Sequence, residues 1–101
     1  MIDFDLIVGF DWDAGNSRKS ALKHEVSQQE AEEVFFNQPL LIAPDFKHSG
    51  TEGRFLAFGK THGGRALTVV FTLRLHGSLI RVISARDQHT KERRIYAQHQ
   101  Q

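Results

Sequence analysis

The sequence predicts an α+β domain in which two N-terminal helices pack on an antiparallel sheet and one more helix closes the chain. Three observations carry this expectation. From Ala66 to Leu75 the residues alternate, with Leu67, Val69, Phe71 and Leu73 on one side and Thr68, Val70, Thr72 and Arg74 on the other. That period of two marks a strand with one buried face. Turns at His62-Gly63-Gly64 and His76-Gly77-Ser78 separate it from its neighbours by a few residues, as in an antiparallel meander. Ser27-Gln28-Gln29-Glu30 has the form of a capping box, and Ala31, Val34 and Phe35 follow at helical spacing.

In chain order, Leu6 to Phe10 reads as a short apolar strand, broken by Asp11-Trp12-Asp13. Asp13 can cap a helix, because its carboxylate accepts from exposed N–H groups, and Ser17 to His24 is compatible with that helix. The second helix starts at Ser27 and ends at Asn37-Gln38-Pro39, since a residue before proline avoids the helical region. Leu40 to Ala43, closed by Pro44, suits an edge strand. Arg54 to Lys60, Ala66 to Leu75 and Leu79 to Ala85 are the remaining strands. Thr90 caps a last helix from Lys91 to about His99, which leans on the body through Ile95 and Tyr96. The order is β-α-α-β-β-β-β-α, with Thr72, Arg74 and neighbouring arginines feeding a partly open sheet face.

The 101 residues make one domain, 1–101, and eight Phe with one Trp can supply its core. With no cysteine, disulfides and thiolate metal sites are excluded, and a reducing cytoplasm is the expected location. No apolar run approaches the ~20 residues of a membrane span. The acidic start, Met1-Ile2-Asp3-Phe4-Asp5, is unlike a signal peptide.

Charge is divided unevenly. Met1 to Gly53 holds four Lys or Arg against ten Asp or Glu, and Arg54 to Gln101 holds nine against two. Such asymmetry points either to nucleic acid or an acidic partner, or to a solvated basic face. Arginine forks match phosphate geometry, so Arg54, Arg74, Arg81, Arg86, Arg93 and Arg94 form the first candidate site. Arg81 and Arg86 are five apart, and an unbroken strand points them to opposite faces. At most one then joins Arg74, unless Arg86 lies beyond the strand end.

Three smaller groups stand beside the arginines. Tyr96 lies four residues after Glu92 and shares its helix face, where it could stack on a base, transfer a proton, or simply anchor a weak helix. Asp45, His48 and Glu52 carry ligand-type side chains, but their spacing matches no zinc pattern, and a His–carboxylate pair for acid–base work fits better. Lys23-His24 sits where a helix end favours cations, a structural role.

Taken together, these residues resemble the BrnT toxins. The shared features run from Phe10-Asp11-Trp12-Asp13 through Lys23-His24, Val26-Ser27, Ala31 and Val34-Phe35. They continue in Asp45, His48, Glu52, Arg54 and Gly59, and end in Thr72, Arg74, Ile80 to Arg86, Glu92-Arg93 and Tyr96. The family often has Lys, Asn, Gly and Phe where this chain has Asn16, Ser20, Glu25 and Gln28.

The resemblance implies a RelE-like fold and a metal-independent RNA endonuclease that stops translation and needs no cofactor. It implies a BrnA-like antitoxin as partner, with operator DNA reached only through that antitoxin and no membrane contact. On this view Arg74 and Arg86 contact phosphate in the transition state, and Tyr96 stacks or moves a proton. Glu52 and Arg54 assist catalysis, while Arg81, Arg93 and His48 bind RNA. An acidic or amphipathic antitoxin segment over the basic face would block RNA. Two rival functions are an inactive relative that only holds its antitoxin and shapes operon repression, and a metal-dependent hydrolase on Asp45, His48 and Glu52.

Overall fold

The computed structural model describes residues 2–47, 50 and 52–100. A 3-10 turn at Phe4–Leu6 leads into strand β1 at Gly9–Phe10, then helices α1 at Ala14–His24 and α2 at Gln28–Glu33. A second 3-10 turn, Val34–Phe36, extends α2. Strands β2 at Leu41–Pro44, β3 at Arg54–Lys60, β4 at Ala66–Arg74 and β5 at Leu79–Asp87 follow, and α3 at Thr90–Ala97 comes last. The order of helices and strands is the one the sequence predicts. Among the described residues no helix is long and apolar enough to cross a membrane.

The five strands form one sheet in the order β1-β5-β4-β3-β2. Its last four strands are an antiparallel meander, but β1 runs parallel to β5. The sheet is therefore mixed, a correction to the purely antiparallel expectation. The apolar side chains of β4, Leu67, Val69 and Phe71, are fully buried with Val26, Ala31, Val34, Ala57, Ile80, Val82 and Ala85. Phe35 meets Phe71 edge-on at 5.2 Å between ring centroids, an arrangement aromatic quadrupoles favour. Gly59 lets the turn at Val34 lie close against β3, because a Cβ there would stand 2.7 Å from Val34 Cγ1.

A bulge sets the phase of β5. Phe71 faces Val82 and Val70 faces Ser84, so Ile83 is an extra residue in the ladder. It puts Arg81 opposite Thr72 and Arg86 opposite Thr68. Both arginines therefore lie on the face of Thr68, Thr72 and Arg74, correcting the expectation that they point apart. The spacing rule fails because it assumes an uninterrupted strand.

The helices are held by short polar contacts as much as by apolar ones. Asp13 caps α1, accepting from Asn16 N–H at 3.1 Å while Asn16 Oδ1 accepts from Asp13 N–H at 2.7 Å. Asn16 Nδ2 donates to the Val82 carbonyl and Ser20 Oγ accepts from Ala85 N–H, tying α1 to the edge of β5 beyond β1. Ser27 and Glu30 form the capping box the sequence shows. The cap of α3 is His89 rather than Thr90, with Glu92 accepting from His89 N–H at 2.8 Å. Thr90 is instead the first residue of the helix.

Helix α1 ends in a left-handed residue, Glu25, with φ of 54°. Glycine adopts this conformation without steric cost, whereas a Cβ crowds the neighbouring carbonyl. Glu25→Gly should raise stability by ~1 kcal/mol, read as a higher urea midpoint at unchanged slope.

Candidate functional site: an arginine-lined cleft on the sheet

The sheet register builds a row of side chains across three strands. Arg54 on β3 faces Thr72 on β4, and Thr72 faces Arg81 on β5. Residues directly opposite share a face, so both arginines project beside Thr72, with Arg74 two residues further along β4. Thr72 is buried, and its hydroxyl donates to the Gly53 carbonyl at 2.6 Å, which fixes the start of β3 under the row. Above lies an open cleft of about 530 Å³ lined by Lys19, Glu52, Arg54, Arg74 and Arg81 together with the Gly15–Asn16 end of α1.

Carboxylates orient these cations. Arg74 Nη1 donates to Glu52 Oε2 at 2.7 Å, in a pair about 40% exposed on each side. Arg81 Nη2 donates to Asp13 Oδ2 at 2.9 Å, and its Nη1 lies 3.5 Å from Asp11 Oδ2. The Asn16 N–H and then Arg81 hold the Asp13 carboxyl below its usual range. The hydrogen bond to Asp13 holds the Arg81 guanidinium above its own. Lys19 is exposed at the rim, outside any ion pair among the described residues.

Four predicted site residues meet here: Arg74, Arg81, Arg54 and Glu52. Arg86 does not. It stands four residues along the ladder from the Arg81 row and grips Glu92 of α3 with two bonds, of 2.7 and 3.0 Å. Thr68 adds a third bond to Glu92 at 3.0 Å. Burial opposes ionisation of Glu92, but the Arg86, His89 and Thr68 hydrogen bonds outweigh it and lower its pKa to about 2. Arg86 is thereby committed to docking α3.

Tyr96, expected to stack on a base, move a proton or anchor its helix, lies outside the cleft. Its ring is 1% exposed, and its hydroxyl donates to the Pro39 carbonyl at 2.6 Å. Burial also pushes its pKa up. Tyr96 is the anchor of α3, whereas Ile95 is half exposed. Arg93, on the same helix, is exposed outside the cleft and reaches Thr90 Oγ1 at 3.5 Å. His48 lies outside the described residues, and so does the Asp45–His48–Glu52 set taken as a unit.

Two features of the cleft were not singled out in the sequence pattern. Lys19 carries no local signal, since one lysine on a polar helix looks like any other. The pairing of Asp11 and Asp13 with Arg81 spans some seventy residues. A hint existed in Asp13, because a carboxylate that caps a helix through one oxygen has a second oxygen to offer.

Residues 12–92 match the family model BrnT toxin, described as ribonuclease toxin, BrnT, of type II toxin-antitoxin system. No curated protein matches the chain.

The Arg86–Glu92 clamp makes a pH prediction. A carboxylate whose folded pKa is depressed stabilises the fold above its unfolded pKa, and loses that contribution as pH falls through the folded value. Glu92→Gln should therefore be less stable than the parent at pH 7 by on the order of 2–3 kcal/mol. In urea titrations this gap should close as pH falls from about 4.5 to about 2. A gap that stays constant over that range would remove the clamp from the account of α3.

Proposed function

The chain belongs to the BrnT family of ribonuclease toxins of type II toxin–antitoxin systems, and from that premise we propose that RNA binds and is cut in the cleft of Arg54, Arg74 and Arg81. One observation carries the reading: the register aligns Arg54, Thr72 and Arg81 across three strands with Arg74 beside them. A rigid sheet can then aim three permanently charged donors at one phosphate.

The reaction that suits this geometry is RelE-like and needs no metal. The ribose 2′-oxygen attacks the adjacent phosphorus as its proton passes to Glu52. The bond from phosphorus to the 5′-oxygen breaks, leaving a 2′,3′-cyclic phosphate and a 5′-hydroxyl whose proton comes from water. Arg54, Arg74 and Arg81 stabilise the charge that grows on the non-bridging oxygens. Glu52 is oriented for its task by its 2.7 Å bond to Arg74. Lys19 extends the positive rim along the strand.

A ribonuclease toxin of a type II system has RNA as its target and an antitoxin as its partner. We assign the partner to a BrnA-like protein whose acidic or amphipathic segment covers the same arginines and which alone touches operator DNA. Translation stops because the cleaved RNA is message, and the chain acts in the cytoplasm. The rival reading, an inactive relative that only holds its antitoxin, is motivated by the departures from the BrnT pattern at Asn16, Ser20, Glu25 and Gln28. Asn16 and Ser20 hydrogen-bond β5, Glu25 closes α1 and Gln28 accepts from Ser17 at its surface, all structural duties.

Arg74→Ala should lower RNA cleavage by ~10²–10³-fold, the cost of losing one preorganised donor. Arg86→Ala, assayed well below its unfolding midpoint, should keep most of the activity while losing stability. Cleavage by the parent should be unchanged in excess chelator. If Arg74→Ala cuts at the parental rate, or if chelator abolishes cleavage, the assignment fails.

A further inference from the structure

We propose that Asp13, with Asp11 as its auxiliary, is a positioning residue for RNA cleavage: it sets the orientation of Arg81 in the cleft while capping α1. The inference rests on the reading of the cleft as the RNA site and deepens it, since it says what aims one of the three arginines.

The geometry divides the two oxygens of one carboxylate between two tasks. Oδ1 of Asp13 accepts from Asn16 N–H at 3.1 Å, which ends the open first turn of α1. Oδ2 accepts from Arg81 Nη2 at 2.9 Å. Asp13 is held in turn from a second direction, because Asn16 Oδ1 accepts from its N–H at 2.7 Å. Asn16 Nδ2 then donates both to the Asp11 carbonyl at 3.0 Å and to the Val82 carbonyl at 2.9 Å. Val82 is the residue after Arg81, so the helix start and the arginine are referenced to the same point of β5. Asp11 Oδ2 lies 3.5 Å from Nη1 of the same guanidinium.

An arginine side chain has four rotatable bonds and loses rotamer entropy when fixed. Fixing it before RNA arrives removes that cost from the reacting state, which is the benefit of preorganisation. A guanidinium has five N–H donors, and the two carboxylates engage only its terminal nitrogens, so donors remain for phosphate. The same carboxylates reduce the positive charge the cleft offers to RNA. A residue that merely attracted RNA would be basic. An acid placed against the arginine sacrifices attraction for direction, and this gives the proposal its distinctive sign.

The test uses full-length protein and a short single-stranded RNA. Asp13→Asn keeps the cap, because Asn caps a helix as well as Asp. It replaces the charged acceptor facing Arg81 by an amide. The expected result is kcat lowered about tenfold, KM unchanged or lower, and a urea midpoint only slightly lower, since the Asp13 carboxylate of the lost ion pair is exposed. Asp13→Ser, which retains a capping oxygen too short to reach Arg81, should behave alike and guards against a fault peculiar to Asn. The double variant Asp13→Asn/Arg81→Ala should be no slower than Arg81→Ala alone.

Parental kcat in both Asp13 variants beside an impaired Arg81→Ala would overturn the positioning role and leave the RNA cleft standing. Losses that multiply in the double variant would also overturn it, since Asp13 would then act by another route. Parental cleavage by Arg81→Ala would instead strike the assignment of Arg81 to the cleft, and the positioning role would fall with it.

Discussion

The extra residue Ile83 in β5 is the constraint on which the rest of this molecule depends. A strand with a period of two cannot send Val82 and Ala85, three apart, to the same core, nor Arg81 and Arg86, five apart, to the same open face. With one bulge between them it does both. Upstream of the bulge β5 serves the cleft, through Arg81 beside Thr72. Downstream it serves α3, through Arg86 against Glu92. Without Ile83 the strand could keep one half in register only by turning the other inside out, with arginine facing Leu67 and Val69.

The charge asymmetry of the sequence takes on a different meaning in the folded chain. Acids of the first half meet arginines of the second: Glu52 meets Arg74, Asp11 and Asp13 meet Arg81, and Glu30 meets Arg65. Arg65 also takes Asp87, and the two bonds raise its pKa. The asymmetry is therefore in part an internal complementarity between halves that the fold interleaves. What marks the cleft is the lateral alignment of Arg54, Thr72 and Arg81, with Lys19 exposed at its rim. Composition cannot show this, because alignment is a property of strand register.

Legibility followed the range of the interactions. Arg54–Lys60 was readable to the residue because alternation and a glycine turn bound it. The second helix was readable because Ser27 and Glu30 lie three apart and satisfy each other's backbone. Arg54, Arg74 and Glu52 were legible as residue types suited to phosphate chemistry, and the sheet does gather them. Arg86 and Tyr96 look equally available in the sequence, and the fold places both outside the cleft. Their partners, Glu92 with Thr68 and the Pro39 carbonyl, convert groups that look chemically available into anchors of a helix that is otherwise charged almost all round. The first strand, read over Leu6 to Phe10, forms only at Gly9–Phe10, and its parallel pairing with β5 had no local signal, because two residues of strand carry no period.

The acids in the cleft explain how such a face can exist before any ligand arrives. Adjacent strands are ~4.8 Å apart, so Arg54 and Arg81 flank Thr72 with backbones ~10 Å apart and Arg74 close by. Like charges at that spacing repel unless carboxylates stand among them. Glu52, Asp11 and Asp13 supply those carboxylates, and each comes from a segment outside the three strands that carry the arginines. The chain folds with the face already neutralised in part and its guanidinium groups already pointed. In the proposed reading, a phosphate of the RNA would add the remaining negative charge to donors that need not search for it. This division of labour asks the sheet to supply position, the N-terminal half to supply counter-charge, and the ligand only to complete the set.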